Sequence, residues 1–406
     1  MRVLVVHNRY RSSAPSGENR VVDNEREALT DRGHEVIRFE RDSDAIENWS
    51  VAKKTTLPGR VIWSQEAYRD LRATLARTKP DVVHMHNTFP LLSPAVLYAC
   101  RTQNTPVAIT LHNYRLMCAG GTFFRSRAAG EPATVCRDCV TGPAIQAVAH
   151  GCYKNSRLAT ATVVLANTAH RQAWRTMVSA YMFISAAQRD LLAGLDLTQE
   201  RVFVRHNLIP ARHLQASPTR TQPASTVIYA GRLDEAKGVR LLMAGWDHYL
   251  TTNPNPGLTL TIAGAGTLGP EITTWAATRP TVHLAGHADP ARCAELMSSA
   301  RAVILPSAWA EPFGLVAIEA MALGVPPVAA NHGAFTELIT PGVDGTLFDP
   351  GNPQALATAI TDIQNNPRRY HTYGEQARDT YTKKFDPDRN IDQLLEIYRF
   401  AITNPA

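Results

Sequence analysis

The stretch Glu311-Pro312-Phe313-Gly314-Leu315-Val316-Ala317-Ile318-Glu319-Ala320-Met321-Ala322-Leu323-Gly324 decides the fold. A loop with Pro and Gly passes into good helix formers, which predicts a helix that begins near Gly314. The first amides of a helix and its dipole form an anion site. Glu311 precedes that site, and Glu319 lies about two turns further on. Carboxylates that accept hydroxyl hydrogen bonds beside an anion site suit a nucleotide-sugar, which we expect the chain to bind.

The composition narrows the class of protein. At 406 residues the chain is long for one domain, and this length favours two or three. The formal charge of +6 is modest, and dense Lys/Arg runs are missing, so we expect no nucleic-acid partner. The charge fits a phosphorylated substrate or an anionic membrane surface. The apolar start at residues 3–6 is too short for a signal peptide, and no apolar run reaches the length of a bilayer span. We expect a cytoplasmic protein, with peripheral contact to the inner face of the membrane left open.

Short apolar strands alternate with helices along the chain, which predicts parallel sheets covered on both faces. The fold class is α/β, with two doubly wound Rossmann-like domains that face an interdomain cleft. Ligands in such folds collect at the carboxyl ends of strands. The predicted strands are 3–6, a strand after Gly33, 81–86, 107–111, 162–166, 181–185, 226–230, 258–263, 281–284, 302–305 and 327–330. The predicted parts are an acceptor-side domain at 1–210 with a Cys-rich insertion at 118–152, a linker at 211–225, a nucleotide-sugar domain at 226–385, and a terminal helix at 386–406 that packs back on the first domain.

A second strand–turn–helix pattern supplies cations. Gly231 and Arg232 follow the strand 226–230, and Lys237 lies just before the next helix. Two cations beside helix amides can hold a pyrophosphate. A solvated polar turn is the alternative, but together with the 311–319 segment the pattern is specific.

Two other phosphate-binding motifs bear on the function. A Walker A loop is absent. Gly264, Gly266 and Gly269 match the dinucleotide fingerprint, which makes an NAD-dependent oxidoreductase the alternative function. Against it, the break at 278–280 leaves a short helix after the glycines, and that function gives no role to Arg232, Lys237 and Glu319. A nucleotide-sugar epimerase of the same fold is a further alternative.

Histidines also follow predicted strands. His112 comes directly after the strand 107–111, where it could hydrogen-bond a donor-sugar hydroxyl or the acceptor, or move a proton. A structural His that caps the strand end is the alternative, and we favour function because of the position. His84 and His86 are similarly placed. The Asp-x-Asp pairs at 42–44 and 386–388 are not linked to the phosphate loops, so we expect metal-independent chemistry.

Four cysteines flank a Gly- and Pro-rich loop. Cys136 and Cys139 form a Cys-x-x-Cys pair, with Cys118 and Cys152 on either side. Four thiolates suit a tetrahedral, structural zinc, and thiols that bind no metal are the alternative.

With these residues in hand, the chain resembles retaining glycosyltransferases of family 4, which have the GT-B fold. The resemblance spans nearly the whole chain. It rests on residues 15–18, 32–36, 81–86, 185, 205–207, 231–233, 237–238, 263–266, 306–307, 311–314 and 319–322. The Cys-rich loop resembles that of bacterial members that build surface polysaccharides, and the resemblance leaves glycosylated metabolites as the alternative product class.

The resemblance implies roles for individual residues. Arg232 and Lys237 would hold the diphosphate of a donor, with a UDP-sugar expected, and Glu319 would bind the ribose. His112 and Glu311 would be the catalytic residues at the donor sugar. The remaining donor contacts would be Gly17, Gly231 and the amides of Phe313, Gly314 and Leu315. The acceptor would be a hydroxyl of a lipid-linked glycan or a small glycoside, and the leaving diphosphate would be stabilised electrostatically, with retention.

The chain departs from the family pattern at two positions. Ser16 stands where many relatives have a second Gly, so the loop is less free to adopt positive φ. Asn113 stands where many have Asp, so an acid beside His112 is not assumed.

Overall fold

The computed structural model describes residues 1–12, 17–125, 134–209 and 225–406. The chain forms two compact units. The first comprises Met1–Phe123, Arg137–Leu208 and Asp388–Ala406, and the second Phe124–Cys136 and Ile209–Pro387. Of the linker predicted at 211–225, all but Ser225 lies outside the described residues.

The first unit contains a six-stranded parallel sheet of order β2-β1-β3-β4-β7-β8. Two further short strands, β5 and β6, form a separate antiparallel pair. The strands before residue 210 are β1 (Arg2–Arg9), β2 (Glu35–Asp42), β3 (Val82–Met85), β4 (Val107–Leu111), β5 (Phe124–Arg125), β6 (Thr134–Val135), β7 (Ala180–Phe183) and β8 (Val202–Val204).

Helices connect the parallel strands, as parallel pairing requires. They are α1 (Gly17–Asp31), α2 (Val51–Thr55), α3 (Leu57–Ile62), α4 (Gln65–Thr78), α5 (Ala95–Thr102), α6 (Asp138–Thr141), α7 (Ile145–His150), α8 (Arg157–Ala169), α9 (Arg171–Thr176) and α10 (Ala186–Leu191). Serine side chains cap several of these helices. Ser64 accepts a hydrogen bond from the amide of Ala67, and Ser185 accepts one from the amide of Gln188, which satisfies amides that the helix leaves unpaired.

The strand predicted at 162–166 is wrong, because these residues lie inside α8. The β-branched run Thr162 to Val164 suggested a strand. Ser156 instead caps a helix by accepting a hydrogen bond from the amide of Ala159. Thr160, Val163 and Ala166 then recur at helical spacing on its buried side. Helical periodicity and the cap outweigh the local β-propensity.

The second unit repeats the architecture. Its six parallel strands have the order β11-β10-β9-β12-β13-β14, the doubly wound order of dinucleotide-binding folds. The strands are β9 (Thr226–Ala230), β10 (Thr259–Ala263), β11 (Val282–Gly286), β12 (Ala302–Leu305), β13 (Pro327–Ala330) and β14 (Thr346–Phe348). The helices are α11 (Val239–Thr252), α12 (Gly269–Ala276), α13 (Pro290–Ser298), α14 (Leu315–Ala322), α15 (Phe335–Leu338), α16 (Pro353–Asn365) and α17 (Pro367–Lys384).

The terminal helix α18 (Pro387–Thr403) packs into the core of the first unit. Its buried side chains Ile391, Leu394 and Tyr398 join strand residues such as Val3 and Val82 in one apolar cluster. The Tyr398 hydroxyl lies 2.7 Å from His84 Nδ1, so a polar contact also ties α18 to β3. Arg32 Nη2 and Nη1 pair with Asp388 and Asp392 at its start, each at 2.7 Å.

Within the described part of the chain, no helix combines the length and the apolar character that a bilayer crossing would need.

Candidate active site

In the second unit, Glu311 lies in the loop between β12 and α14 and is 6% exposed. Its Oε1 lies 2.5 Å from Lys237 Nζ and accepts a hydrogen bond from Ser307 Oγ at 2.9 Å. Burial raises the pKa of Glu311, but the charge of Lys237 and the hydrogen bonds from Lys237 and Ser307 outweigh burial, so the pKa is lowered overall. The loop therefore presents an ionised carboxylate held by a cation.

Gly314 sets the start of α14, as predicted. It is the N-cap residue, with φ of 86°, and a Cβ there would lie 2.6 Å from Phe335 Cε1. Both the left-handed backbone and the close ring therefore require glycine. Phe313 before it is buried, Leu315 opens the helix, and Glu319 is a buried residue of α14 at 8% exposure. The loop thus brings Glu311, the start of α14 and Glu319 into one segment, as the sequence indicated.

The loop after β9 carries the two predicted cations, which differ in their exposure and in their ion pairs. Gly231 and Arg232 follow the strand directly, and the Arg232 side chain is 52% exposed with Asp234 Oδ2 at 3.2 Å. Lys237 ends a short 3₁₀ turn that Asp234 caps through a hydrogen bond from the Lys237 amide at 3.0 Å. Arg232 can therefore reach a ligand, whereas Lys237 is already paired with Glu311.

A glycine brings this turn against the loop that follows β12. Gly238 has φ of 73°, and a Cβ there would lie 1.7 Å from the carbonyl oxygen of Pro306. The close backbone approach places Lys237 within reach of Glu311.

Two of the three glycines that suggested a dinucleotide fingerprint, Gly264 and Gly266, have a packing role. A Cβ at Gly264 would lie 1.8 Å from the Gly231 carbonyl oxygen, and one at Gly266 would lie 2.4 Å from that of Leu233. The loops after β9 and β10 thus touch through their backbones. Residues 269–276 form only a short helix. The pattern is explained without an NAD site.

In the first unit, His112 follows β4, as predicted, and is partly buried. Its Nε2 lies 2.9 Å from His86 Nδ1, and the two rings stack with centroids 5.2 Å apart. Burial lowers the pKa of His112 to about 3, so the ring is neutral at ordinary pH. A neutral His can donate or accept a hydrogen bond but carries no charge for a substrate.

Behind these rings lies an ion pair that sequence reasoning missed. Glu25 of α1 is 1% exposed and accepts a hydrogen bond from Arg205 Nη1 at 2.7 Å. Arg205 Nη2 also donates to Asn390 Oδ1 at 2.6 Å, within α18. The sequence did contain a signal for this ion pair. Glu25 falls on the same helical stripe as Val21, Val22 and Leu29, which are all buried. A carboxylate on an apolar stripe indicates a buried partner.

Glu18 is a second acid on the same stripe of α1. It is 7% exposed and hydrogen-bonded to Tyr10 and Asn113, with the charge of Arg115 nearby. Burial raises its pKa to about 7, although these partners lower it. The Glu18 carboxyl therefore lies beside Asn113. Gly17, predicted to approach the diphosphate, is the exposed first residue of α1, and residue 16 lies outside the described ranges.

The raised pKa of Glu18 predicts a pH-dependent stability. The folded carboxyl holds its proton up to about pH 7, whereas the unfolded one releases it near 4.5, so the wild type loses stability as pH rises between these values. Glu18→Gln should remove this loss. We therefore compare the free energy of unfolding of the variant with that of wild type at each pH. The difference between the two should grow in favour of the variant by about 3 kcal/mol from acid to neutral pH. Urea unfolding across pH measures this, and Glu27→Gln, exposed on the same helix, is the control. A parallel pH profile for variant and wild type would contradict the prediction.

The four cysteines of the insertion are partly buried. Cys139 lies in α6, and Cys152 packs with Cys139 against Ala147 and Val163. Cys118 Sγ accepts a hydrogen bond from the Phe123 amide at 3.4 Å. The structural zinc at these cysteines stays a prediction.

The metal-independent chemistry also stays a prediction. Both Asp-x-Asp pairs have structural contacts, because Asp42 caps a 3₁₀ turn and Asp388 pairs with Arg32.

Comparison with known families now assigns the chain. Residues 15–212 match the model described as Glycosyltransferase Family 4, and residues 214–380 match the model described as Glycosyl transferases group 1. The chain belongs to the family 4-type glycosyltransferases, which confirms the resemblance seen in its motifs.

Individual relatives cover part of the chain. A glycogen synthase of Mycobacterium tuberculosis is 35% identical over 206 residues, 50% of this chain and 49% of the relative. A D-inositol 3-phosphate glycosyltransferase of Paenarthrobacter aurescens is 30% identical over 182 residues, 44% of each chain. The chain thus matches about half the length of these curated relatives.

Solved structures show the fold. Anabaena Alr3699/HepE in complex with UDP aligns with a TM-score of 0.68 at 20% identity, over 98% of this chain and 99% of that one. A glycosyltransferase from Rickettsia africae aligns with a TM-score of 0.70 at 14% identity, over 99% of each. Two Rossmann-like domains of the GT-B fold, as predicted, are therefore confirmed.

Proposed function

We propose that this protein is a retaining glycosyltransferase that moves a sugar from a nucleoside-diphosphate-sugar to a hydroxyl acceptor without a catalytic metal. The observation that carries the proposal is the loop pair of the second unit. A buried, ionised Glu311 held by Lys237 lies beside the start of α14, and an exposed Arg232 follows the adjacent strand β9. Family membership supports the same class of reaction.

The donor we propose is a UDP-sugar. Structures of the similar Anabaena protein were solved with UDP and with UDP-glucose. In this chain, Arg232 and Lys237 would contact the diphosphate, and Glu319 would accept hydrogen bonds from the ribose. The remaining proposed donor contacts are the amides of Phe313, Gly314 and Leu315 at the α14 start. Gly17 at the start of α1 and Gly231 in the loop after β9 complete the set. Cations and helix amides together suit a doubly charged diphosphate.

The chemistry we propose is electrostatic. As the bond from sugar to diphosphate breaks, negative charge grows on the leaving oxygen, and fixed cations stabilise that charge without reorganisation. Glu311 would accept hydrogen bonds from the donor sugar, and the Lys237 pair keeps it ionised for that role. His112 is neutral, so it would contact a sugar by hydrogen bonding. The leaving diphosphate would help to deprotonate the acceptor on the face that gives retention.

For the acceptor, we propose a hydroxyl of a lipid-linked glycan or a small glycoside. Peripheral membrane contact belongs to the same proposal. It is supported by Val51, which is 80% exposed in α2 next to the exposed Lys53 and Lys54. Apolar and basic side chains together suit an anionic membrane surface.

The proposal predicts which ligands stabilise the protein and when nucleoside diphosphate is released. Nucleoside-diphosphate-sugars are screened by thermal shift, and release of nucleoside diphosphate is then measured with candidate hydroxyl acceptors. We expect one UDP-sugar to raise the melting temperature, because a ligand that binds only the folded state stabilises it. Release should require an acceptor and should persist in EDTA. The anomeric configuration of the product, read by NMR, should match that of the donor.

Other outcomes identify the alternatives. Donor turnover without any acceptor would indicate an epimerase or hydrolase, and stabilisation by NAD alone would indicate an oxidoreductase. Donor binding without transfer to any acceptor would indicate a catalytically silent subunit. EDTA that removes activity from the folded protein would contradict metal-independent transfer. Unfolding on strong chelation would instead support the structural zinc at Cys118, Cys136, Cys139 and Cys152.

A further inference from the structure

A row of side chains leads from His112 into the core of the first unit. The His112 and His86 rings stack at an interplanar angle of 20°, with His112 Nε2 and His86 Nδ1 at 2.9 Å. On the far side of the ring, His86 Nε2 lies 3.8 Å from Glu25 Oε2. Glu25 Oε1 accepts the hydrogen bond from Arg205. One ring nitrogen of His86, Nδ1, therefore contacts the proposed sugar-binding His112, and the other, Nε2, lies near a carboxylate.

Both rings are neutral at ordinary pH. Burial lowers the pKa of His86 well below its usual value, and the neighbouring His112 and His7 lower it further. A hydrogen bond between two neutral imidazoles needs one N–H and one bare nitrogen. The tautomer of His86 consequently decides that of His112, and with it whether His112 Nδ1 donates or accepts.

Glu25 favours one of the two arrangements. Burial raises its pKa, but the charge of Arg205 leads the effects that lower it, so the carboxyl is ionised. Among the described residues, neither Glu25 Oε2 nor His86 Nε2 has a hydrogen-bond partner. A carboxylate at 3.8 Å in a buried site attracts an N–H at that nitrogen. His86 protonated at Nε2 must then accept from His112 Nε2–H through its own Nδ1.

A metal is a second use of this cluster, since ligand atoms of Glu25, His84 and His86 lie within 4.8 Å of one another. Contacts already present oppose it. His84 Nδ1 lies 2.7 Å from the Tyr398 hydroxyl, and Nε2 lies 2.8 Å from Thr110 Oγ1, so both nitrogens are engaged. The Arg205 guanidinium also places a positive charge beside Glu25, which disfavours a second cation. His84 instead packs on His86, with ring centroids 4.0 Å apart.

We propose that His86 is a positioning residue: backed by Glu25 and Arg205, it holds His112 in the tautomer whose Nδ1 accepts a hydrogen bond from a sugar hydroxyl. The identity of that ligand rests on the proposed function, whereas the tautomer is a property of the protein alone. The arrangement fixes both the rotation of the His112 ring and the polarity of the atom it offers.

The tautomers can be read directly in the wild-type protein. Long-range ¹H–¹⁵N spectra of histidine-labelled protein distinguish protonated from bare ring nitrogens, and His86→Asn and His112→Asn identify the signals. We expect both rings to be neutral and protonated at Nε2. In Glu25→Gln the His86 signals should shift toward a mixture of tautomers. A proton on His86 Nδ1 or His112 Nδ1 in the wild type would overturn the inference.

Kinetics provide a second readout. His86→Phe keeps a ring but offers no hydrogen bond, so kcat should fall about 10- to 100-fold with little change in the donor KM. His86→Asn places an amide near the Nδ1 position and should recover much of that loss. His371→Asn, whose side chain is 56% exposed, is the control and should match wild type. Equal kcat in His86→Phe and wild type, or equal losses in the Phe and Asn variants, would overturn the positioning role.

Failure of the proposed function would look different. A wild-type protein that transfers no sugar, yet shows the expected tautomers, would contradict only the glycosyltransferase assignment. A protein that transfers sugar but carries the opposite tautomers would contradict only the role of His86.

Discussion

Arg232→Ala should lower kcat/KM for transfer from a nucleotide-sugar by about 100- to 1,000-fold, the usual cost of removing one group that stabilises developing charge. The melting temperature should remain that of wild type. The physical reason is that the side chain is 52% exposed and its ion pair with Asp234 is a surface contact, which contributes little to folding. Initial rates and thermal unfolding, measured on the same preparation, test both parts.

A matched control exists on the same unit. Arg240 is also 52% exposed and pairs with Glu271 at 2.9 Å, and it is not among the proposed donor contacts. Arg240→Ala should leave both activity and melting temperature near wild type. If Arg232→Ala keeps wild-type activity, or if Arg240→Ala loses as much, the donor site has been misplaced.

Arg205→Met should lower the free energy of unfolding by about 3–5 kcal/mol, the cost of leaving one partner of a buried ion pair uncompensated. Arg205 is 2% exposed, and its removal leaves Glu25 buried without its cation. The substitution also breaks the hydrogen bonds to Asn390, which link α18 to the rest of the first unit. Urea unfolding followed by circular dichroism measures the loss.

A double variant separates charge from packing. Arg205→Met with Glu25→Gln removes both charges, so it should recover part of the stability lost in the single variant. Arg2→Met, which breaks the exposed pair with Glu35, should cost no more than about 1 kcal/mol. A loss of that small size in Arg205→Met would show that the Glu25 pair does not support the core.

Most of the fold could be predicted because its signals are local. The strands expected at 107–111, 226–230 and 302–305 have these bounds in the structure, and the helix expected near Gly314 begins at Leu315. Central parallel strands are buried on both faces and therefore form continuous apolar runs. The edge strands β8 and β14 have three residues each, mostly half-buried, so their apolar runs are too short to mark a strand.

The loops of the proposed donor site were also predictable in part. Arg232, Lys237 and Glu311 were singled out because each lies in a loop next to an element whose end the sequence marks. Glu319 was singled out because it lies in the helix that the sequence starts near Gly314. The pairing of Lys237 with Glu311 could not be predicted, since it depends on Gly238 lying against Pro306, far along the chain. For the same reason, the sequence could not show that Gly264 lies against the backbone of Gly231.

The sequence by itself determined the alternating architecture, the family and the helix start near Gly314 on which the proposed donor site is built, because periodicity, capping and glycine punctuation act over a few residues. Only the tertiary structure decided how those residues are charged and oriented. Lys237 lowers the pKa of Glu311, burial leaves His112 neutral, and Glu25 and Arg205 meet behind His86 although 180 residues separate them along the chain. Electrostatics depend on distances in space and on burial, and neither can be read from spacing along the chain.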